Sequence, residues 1–234
     1  MNLFGLDFKI MNSSVQFPDP NLAEPEGIVA MGGELSPDFL LSAYNQGLFP
    51  WFNEGEPILW WSPDPRMVLF PENFKISASM KQTIRRNKFT LKVDHDFVSV
   101  IRNCASVKRD GQQGTWITED MIGAYTNLHK EGYAHSFETY QEGKLVGGLY
   151  GVSLGKAFFG ESMFYLERDA SKFALYHLVR FARENDFHFI DVQQSTNHLR
   201  SLGAVNISRA EFLDRLRKSL AFSSIKKKWS GLID

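Results

Sequence analysis

The sequence predicts an α+β fold. A smaller N-terminal domain, residues 1–66, precedes a larger one, residues 67–234, built on a mixed central sheet flanked by helices. Three observations carry this expectation. Residues 134–164 hold three strand-like segments separated by the tight turns Glu142-Gly143 and Leu154-Gly155. A long amphipathic helix and a largely apolar strand follow. Upstream, Gly27 to Phe70 concentrates three of the five tryptophans and five of the nine prolines. Proline fixes the backbone and removes a donor, so this stretch reads as stiff, non-helical turns carrying large flat side chains.

In order along the chain, residues 1–26 are expected to be irregular, broken by Pro18, Pro20 and Pro25. Ser36-Pro37 opens a helix, with serine at the cap, proline at the first position and Gly47 past the last turn. Phe39, Leu40, Ala43 and Tyr44 give it an apolar face. The proline-aromatic turns come next. Helices are then expected over Ser77–Asn87, Asp96–Cys104 and Thr118–Gly132, with a strand over Phe89–Val93. The strands Ala134–Tyr140, Leu145–Val152 and Ala157–Phe164 precede a helix over Ala170–Asn185. A buried strand over Phe187–Gln193, a short helix over Asn197–Leu202 and a helix over Ser208–Leu220 complete the order. Lys226-Lys227-Lys228 reads as a solvated tail.

Bulk properties narrow the functional classes. Lys plus Arg is 26 and Asp plus Glu is 27, so a nucleic-acid partner would need a local basic patch. Such a patch exists. Residues 73–93 carry Lys75, Lys81, Arg85, Arg86, Lys88 and Lys92 and no acid, and Lys81 and Arg85 stand one helical turn apart. A solvated helix face would look the same. The single cysteine, Cys104, excludes an internal disulfide and fits the cytoplasm; it reads as a small buried hydrophobe. No segment has the length and apolarity of a membrane span, and no membrane partner is expected. The six histidines show no metal spacing, so no metal site is expected.

The strand-strand-strand-helix-strand-helix order is that of an acyltransferase domain of the GNAT type, an analogy at the level of fold. Acetyltransferases of that kind hold a pyrophosphate on glycine-rich backbone before the long helix. Here the junction from Tyr165 to Lys172 has no glycine and carries Glu167 and Asp169, which would repel one. Further on, Asp191 and Gln193 lie two apart on the apolar strand and so share a face. Polar groups there need partners; alternatively, they mark the strand's end entering a loop.

The motifs AMGGELSP, GLFPWF and ILWWSPDPR, within Gly27 to Val68, resemble leucyl/phenylalanyl-tRNA–protein transferases. The likeness continues in order through Gly114-Thr-Trp-Ile-Thr118, Ala134-His-Ser136, Leu145-Val-Gly-Gly148, Gly160-Glu-Ser-Met-Phe164, Ala170-Ser-Lys172, Ile190-Asp191 and Gln193. The resemblance implies an enzyme without a cofactor. It would take leucine, phenylalanine or, less well, methionine from aminoacyl-tRNA and add it to proteins beginning with Arg or Lys, marking them for degradation. It implies a GNAT-like C-terminal domain with Asp191, Gln193 and Glu161 at the active centre. Gln193 would orient amine and carbonyl; Asp191 would bind the ribose or the amine, or collect a proton.

By the same resemblance the aminoacyl pocket includes Leu149, Gly160, Met163, Leu175, Leu178 and Ile190, with Ala182 at its margin. Trp51 and Trp116 would hold the terminal adenosine, and Lys81, Arg85 and Arg86 would meet tRNA phosphates; the adjacent pair Trp60-Trp61 reads instead as packing at the domain junction. An apolar pocket of this kind accepts side chains unbranched at Cβ and disfavours Ile or Val by about 1–3 kcal/mol. The chain departs from the pattern at Leu178, Ala182 and Tyr165, which implies a pocket roomier at one wall. Ala78 and Gln82 stand where arginine occurs, which implies a redistributed tRNA contact. Two other functions remain in competition: a coenzyme A-dependent N-acetyltransferase and a non-catalytic RNA- or peptide-binding module.

Overall fold

The computed structural model describes residues 2–3, 6–7, 9–11, 16–107 and 115–232; Gly114 of the fourth motif group lies outside them. The elements in chain order are β1 (Asn2–Leu3), β2 (Leu6–Asp7), β3 (Lys9–Met11), β4 (Ile28–Gly32), α1 (Pro37–Asn45), β5 (Phe49–Pro50), β6 (Leu59–Trp61), β7 (Arg66–Leu69), α2 (Ala78–Arg85), β8 (Thr90–Val93), α3 (Phe97–Ser106) and α4 (Glu119–Lys130). There follow β9 (Ala134–Gln141), β10 (Lys144–Leu154), β11 (Ala157–Tyr165), α5 (Ala170–Glu184), β12 (Phe189–Gln193), α6 (Asn197–Ser201), β13 (Val205–Ile207) and α7 (Arg209–Leu220).

Two sheets organise the chain. A four-stranded sheet of order β3-β4-β6-β5 uses residues before 62. A seven-stranded mixed sheet of order β13-β7-β12-β11-β10-β9-β8 holds the other strands, apart from β1 and β2, which pair with each other. In it only β11 and β12 run parallel. One face is covered by α5, with Leu175, Leu178 and Phe181 packed on Leu149, Phe158 and Ile190. The other is covered by α1, α3, α4 and α7 in a single core that also takes in Trp60 of the small sheet. The layout is therefore α+β with a small N-terminal sheet.

Several strands depart from expectation. The N-terminal stretch contains β1 to β3, and the proline-tryptophan stretch contains β4 to β7 as well as turns. Their shortness, two to five residues each, hides any alternation. β7 is the most consequential, because it lies inside the large sheet between β13 and β12. Pro63 and Pro65 end the extended lead-in, and Arg66-Met67-Val68-Leu69 is then buried on both faces. Lys226 to Lys228 are exposed as expected, but Trp229 turns back into the core. Its ring stacks on His135 at 3.8 Å and its backbone N–H donates to Asp94 at 2.7 Å.

Candidate active site

β11 and β12 pair only from Ala157 to Phe159 against Phe189 to Asp191. Beyond that they part, and the gap at their carboxyl ends opens into a cavity of about 460 Å³. This is where a parallel pair presents ligands in open sheets, and the volume falls in the range of small-molecule sites. The apolar wall is Leu149, Met163, Leu175, Leu178, Ile190 and Val192. Gly160, Trp51, Trp116, Glu161 and Gln193 also line it, while Gln194, Thr196 and His198 bring polar groups to it.

Two bulges aim the polar residues. Opposite β10, Tyr150 pairs with Ser162 and Gly151 with Gly160, so Glu161 is the extra residue. Alternation is consequently broken: Phe159 and Phe164, five apart, pack in the same core layer. Glu161 turns into that layer and meets two tyrosines. Tyr44 donates to its Oε1 at 2.7 Å and Tyr125 to its Oε2 at 3.0 Å. The two hydroxyl oxygens also lie within hydrogen-bond distance of one another; each carries one proton, so a proton given to that contact is withdrawn from Glu161. The second bulge is at Val192, where Asp191 opposes Val68 and Gln193 opposes Met67. Gln193 adopts φ 63°, a left-handed conformation that costs a non-glycine residue about 1 kcal/mol or more. Its Nε2 thereby donates to Glu161 Oε1 at 3.0 Å.

Burial raises the Glu161 carboxyl to about 7, with a smaller upward push from Asp191; the tyrosine donors and Arg66 pull the other way. The same burial, with the carboxylate beside them, pushes the Tyr44 and Tyr125 hydroxyls up, so both stay protonated donors. Glu161 is thus a carboxyl that titrates near neutrality while held from three directions. His198 is held below the ordinary histidine value, by burial first and then by Lys172.

Asp191 is placed differently. It is fully buried, it does not line the cavity, and its carboxylate faces Arg66, also fully buried. Arg66 Nε donates to Oδ1 at 2.9 Å and its second nitrogen to Oδ2 at 2.6 Å. The guanidinium lies between the rings of Phe49 and Phe212, at 4.7 and 4.4 Å. Asp191 Oδ1 also accepts from the Gln193 backbone N–H at 2.9 Å. The expected common face of Asp191 and Gln193 is therefore realised as a link through the backbone, and only Gln193 reaches the cavity.

Trp51 and Trp116 stand half-buried on the cavity wall. Trp51 packs against Trp61, whose indole N–H donates to the Trp51 carbonyl at 2.7 Å. Trp60 is in the core, its N–H bonded to the Gly32 carbonyl. Ala182 is buried against the sheet and does not line the cavity, since it lies one turn of α5 beyond Leu178. Lys81, Arg85 and Arg86 are exposed on or at the end of α2, away from the cavity lining. Among the described residues no group of acids, histidines and cysteine is arranged to hold a metal ion, and no helix is long and apolar enough to cross a membrane.

Sequence reasoning missed Tyr44, Tyr125 and Arg66. Tyr44 sits on the apolar face of α1 and is read as core, and Arg66 ends a proline-rich turn. Only an arginine beside the apolar run Met67 to Phe70 hinted at a buried ion pair.

The family model for leucyl/phenylalanyl-tRNA protein transferase matches residues 68–217, and the model for the N-terminal domain of the same proteins matches residues 33–64. Leucyl/phenylalanyl-tRNA–protein transferase of Desulfatibacillum aliphaticivorans is 50% identical over 220 residues, 94% of each chain. That of Nitrosomonas europaea is 52% identical over 223 residues, again 94% of each. Among solved structures, an aminoglycoside acetyltransferase from an uncultured soil metagenomic sample covers 56% of this chain and 88% of its own. At 16% identity and a TM-score of 0.36 it adds nothing to the assignment.

Proposed function

This chain belongs to the leucyl/phenylalanyl-tRNA–protein transferase family, and we propose on that premise how its cavity carries out aminoacyl transfer. The chain is an aminoacyltransferase that moves an amino acid from tRNA to a protein. The donated side chain enters the wall formed by Leu149, Met163, Leu175, Leu178 and Ile190, which suits leucine, phenylalanine and methionine. Trp51 and Trp116 hold the adenosine that carries the ester, and stacking of this kind contributes about 1–3 kcal/mol per base. Arg85, Arg86 and Lys81 meet backbone phosphates further along the tRNA.

The observation that carries the chemistry is the Glu161 carboxyl, titrating near 7 at the cavity and held by Tyr44, Tyr125 and Gln193. In ester aminolysis the acceptor amine forms a C–N bond to the carbonyl carbon, and the C–O bond to the ribose breaks. One proton leaves the amine and one arrives at the ribose oxygen. A carboxyl with a value near the working pH can do both in turn. Glu161 Oε1 already has two donors and Oε2 one, so Oε2 is the free acceptor. Gln193 donates its amide N–H to Glu161, which turns its carbonyl oxygen toward the amine. Asp191 acts as a positioning residue: with Arg66 it holds the Gln193 backbone.

The acceptors are proteins beginning with Arg or Lys, whose transfer product is marked for degradation, and the reaction takes place in the cytoplasm. The test is incubation with radiolabelled Leu-tRNA and acceptor peptides beginning with Arg, with acetyl-Arg, and with Asp. Label is expected on the first alone. Label on all three would remove the acceptor assignment. Acetyl transfer from acetyl-CoA with none from Leu-tRNA would replace the transferase reading by an acetyltransferase.

A further inference from the structure

From Gly160 onward β11 has β10 on one side and no strand on the other. The cavity occupies that open side. So does the end of the strand, where Tyr165 is 64% exposed, as is Leu166 after it. Exposed large apolar side chains in succession are unusual among the described residues, and these two need a reason. The Tyr165 side chain makes no hydrogen bond or ring contact among the described residues. The backbone beneath it is fixed, since it pairs with Gly147 and the next two N–H groups both donate to the Val146 carbonyl. The ring is thus presented on a rigid strand end.

The surroundings are cationic. A surface groove beside this turn is lined by Ser79, Gln82, Thr83, Arg86, Lys88, Arg168 and Asp169. Lys88 is shared with Glu167 at 3.2 Å, and Asp169 with Lys172 at 3.1 Å and more loosely with Arg168 at 3.9 Å. Lys81, Arg85 and Arg86 form no ion pair among the described residues. The rim therefore carries more cations than its two acids balance. Tyr165 itself stands about 7 Å, two strand residues, from Met163 in the cavity wall.

We propose that Tyr165, with Leu166 beside it, is a stacking platform for an unpaired nucleobase of the donor tRNA. Arg168 and Arg86 contact the phosphates that follow. The proposal rests on the transferase reading above. A donor whose ester end fills the cavity must leave by its mouth, and single-stranded nucleic acid is held by this combination of aromatic faces and cations. A π-face accepts any base, so the platform adds affinity without sequence preference.

The test is fluorescence anisotropy with labelled, deacylated tRNA, intact or trimmed of its unpaired 3′ nucleotides, across a range of salt. Tyr165→Ala is expected to weaken binding of intact tRNA by roughly 5- to 100-fold. Tyr165→Phe keeps the face and is expected to bind like the wild type. Trimmed tRNA is expected to bind wild type and Tyr165→Ala equally. Arg168→Gln is expected to lower the slope of log affinity against log salt by about 0.7–0.9. Unchanged binding of intact tRNA by Tyr165→Ala, or equal weakening of intact and trimmed tRNA, would overturn the proposal. So would a wild type with no tRNA affinity. Transfer by the wild type from leucyl-adenosine, which lacks everything past the last nucleoside, separates the two readings: its failure counts against the transferase chemistry and leaves the stacking result standing.

Discussion

Replacing Asp191 by Asn separates a positioning role from a chemical one. The substitution keeps the shape of the side chain and removes its charge, leaving Arg66 buried at 0% exposure without a counter-ion. One guanidinium nitrogen, Nη1, already has no partner among the described residues. Breaking a buried pair from one side costs about 3–5 kcal/mol. In a chain of 234 residues each kcal/mol lowers Tm by roughly 2–4 °C, so a drop of about 6–20 °C is expected. The phenylalanine rings on either side of Arg66 are unaffected and do not offset it. The assay is urea unfolding followed by circular dichroism, together with single-turnover transfer from Leu-tRNA. Arg66→Met combined with Asp191→Leu is expected to recover most of the stability, as apolar replacements of buried pairs commonly do. It is not expected to recover activity, because Gln193 has lost the acceptor of its backbone N–H. A stable Asp191→Asn with wild-type transfer would refute the ion-pair argument. A stable Asp191→Asn with transfer abolished would make Asp191 a chemical participant.

Because the fold raises the Glu161 carboxyl from 4.5 to about 7, the folded chain holds that proton more tightly than the unfolded one. Its contribution is therefore favourable below about pH 4.5 and is lost as pH rises through 7, by about 3 kcal/mol; Glu161→Gln should remove this slope from urea titrations run between pH 5 and 8. Leu178→Phe fills the cavity wall and should shift donor preference from Phe toward Leu by about 10-fold in kcat/KM. Reversing charge at both Arg85 and Arg86 should lower the salt slope of tRNA binding by roughly 2; an unchanged slope would remove α2 from the interface.

Elements with whole turns of helix or long alternating strands were legible in the sequence. The helices over Glu119–Lys130 and Ala170–Glu184 and the strands β9 to β11 lie within about three residues of expectation. The short strands β4 to β7 were not, because two to five residues beside prolines carry no period. The resemblance named Leu149, Gly160, Met163, Leu175, Leu178 and Ile190, which line the cavity, and did not name Val192 beside them. What could not be read was how the centre is held. Glu161 becomes a bulge only through its register with β10, and its tyrosines lie 117 and 36 residues away. Likewise, Asp191 looked reachable on a strand face until Arg66, 125 residues upstream, was placed on the neighbouring strand.

In the proposed chemistry Glu161 moves the proton in ester aminolysis. The most direct measurement is the single-turnover rate of leucyl transfer to an Arg-beginning peptide, wild type against Glu161→Gln, from pH 6 to 9. The wild-type rate is expected to rise through a group near 7, and the variant to be slower by about 10²–10⁴-fold with that limb gone. A folded Glu161→Gln that transfers within a few-fold of the wild type, with the same limb, would contradict it.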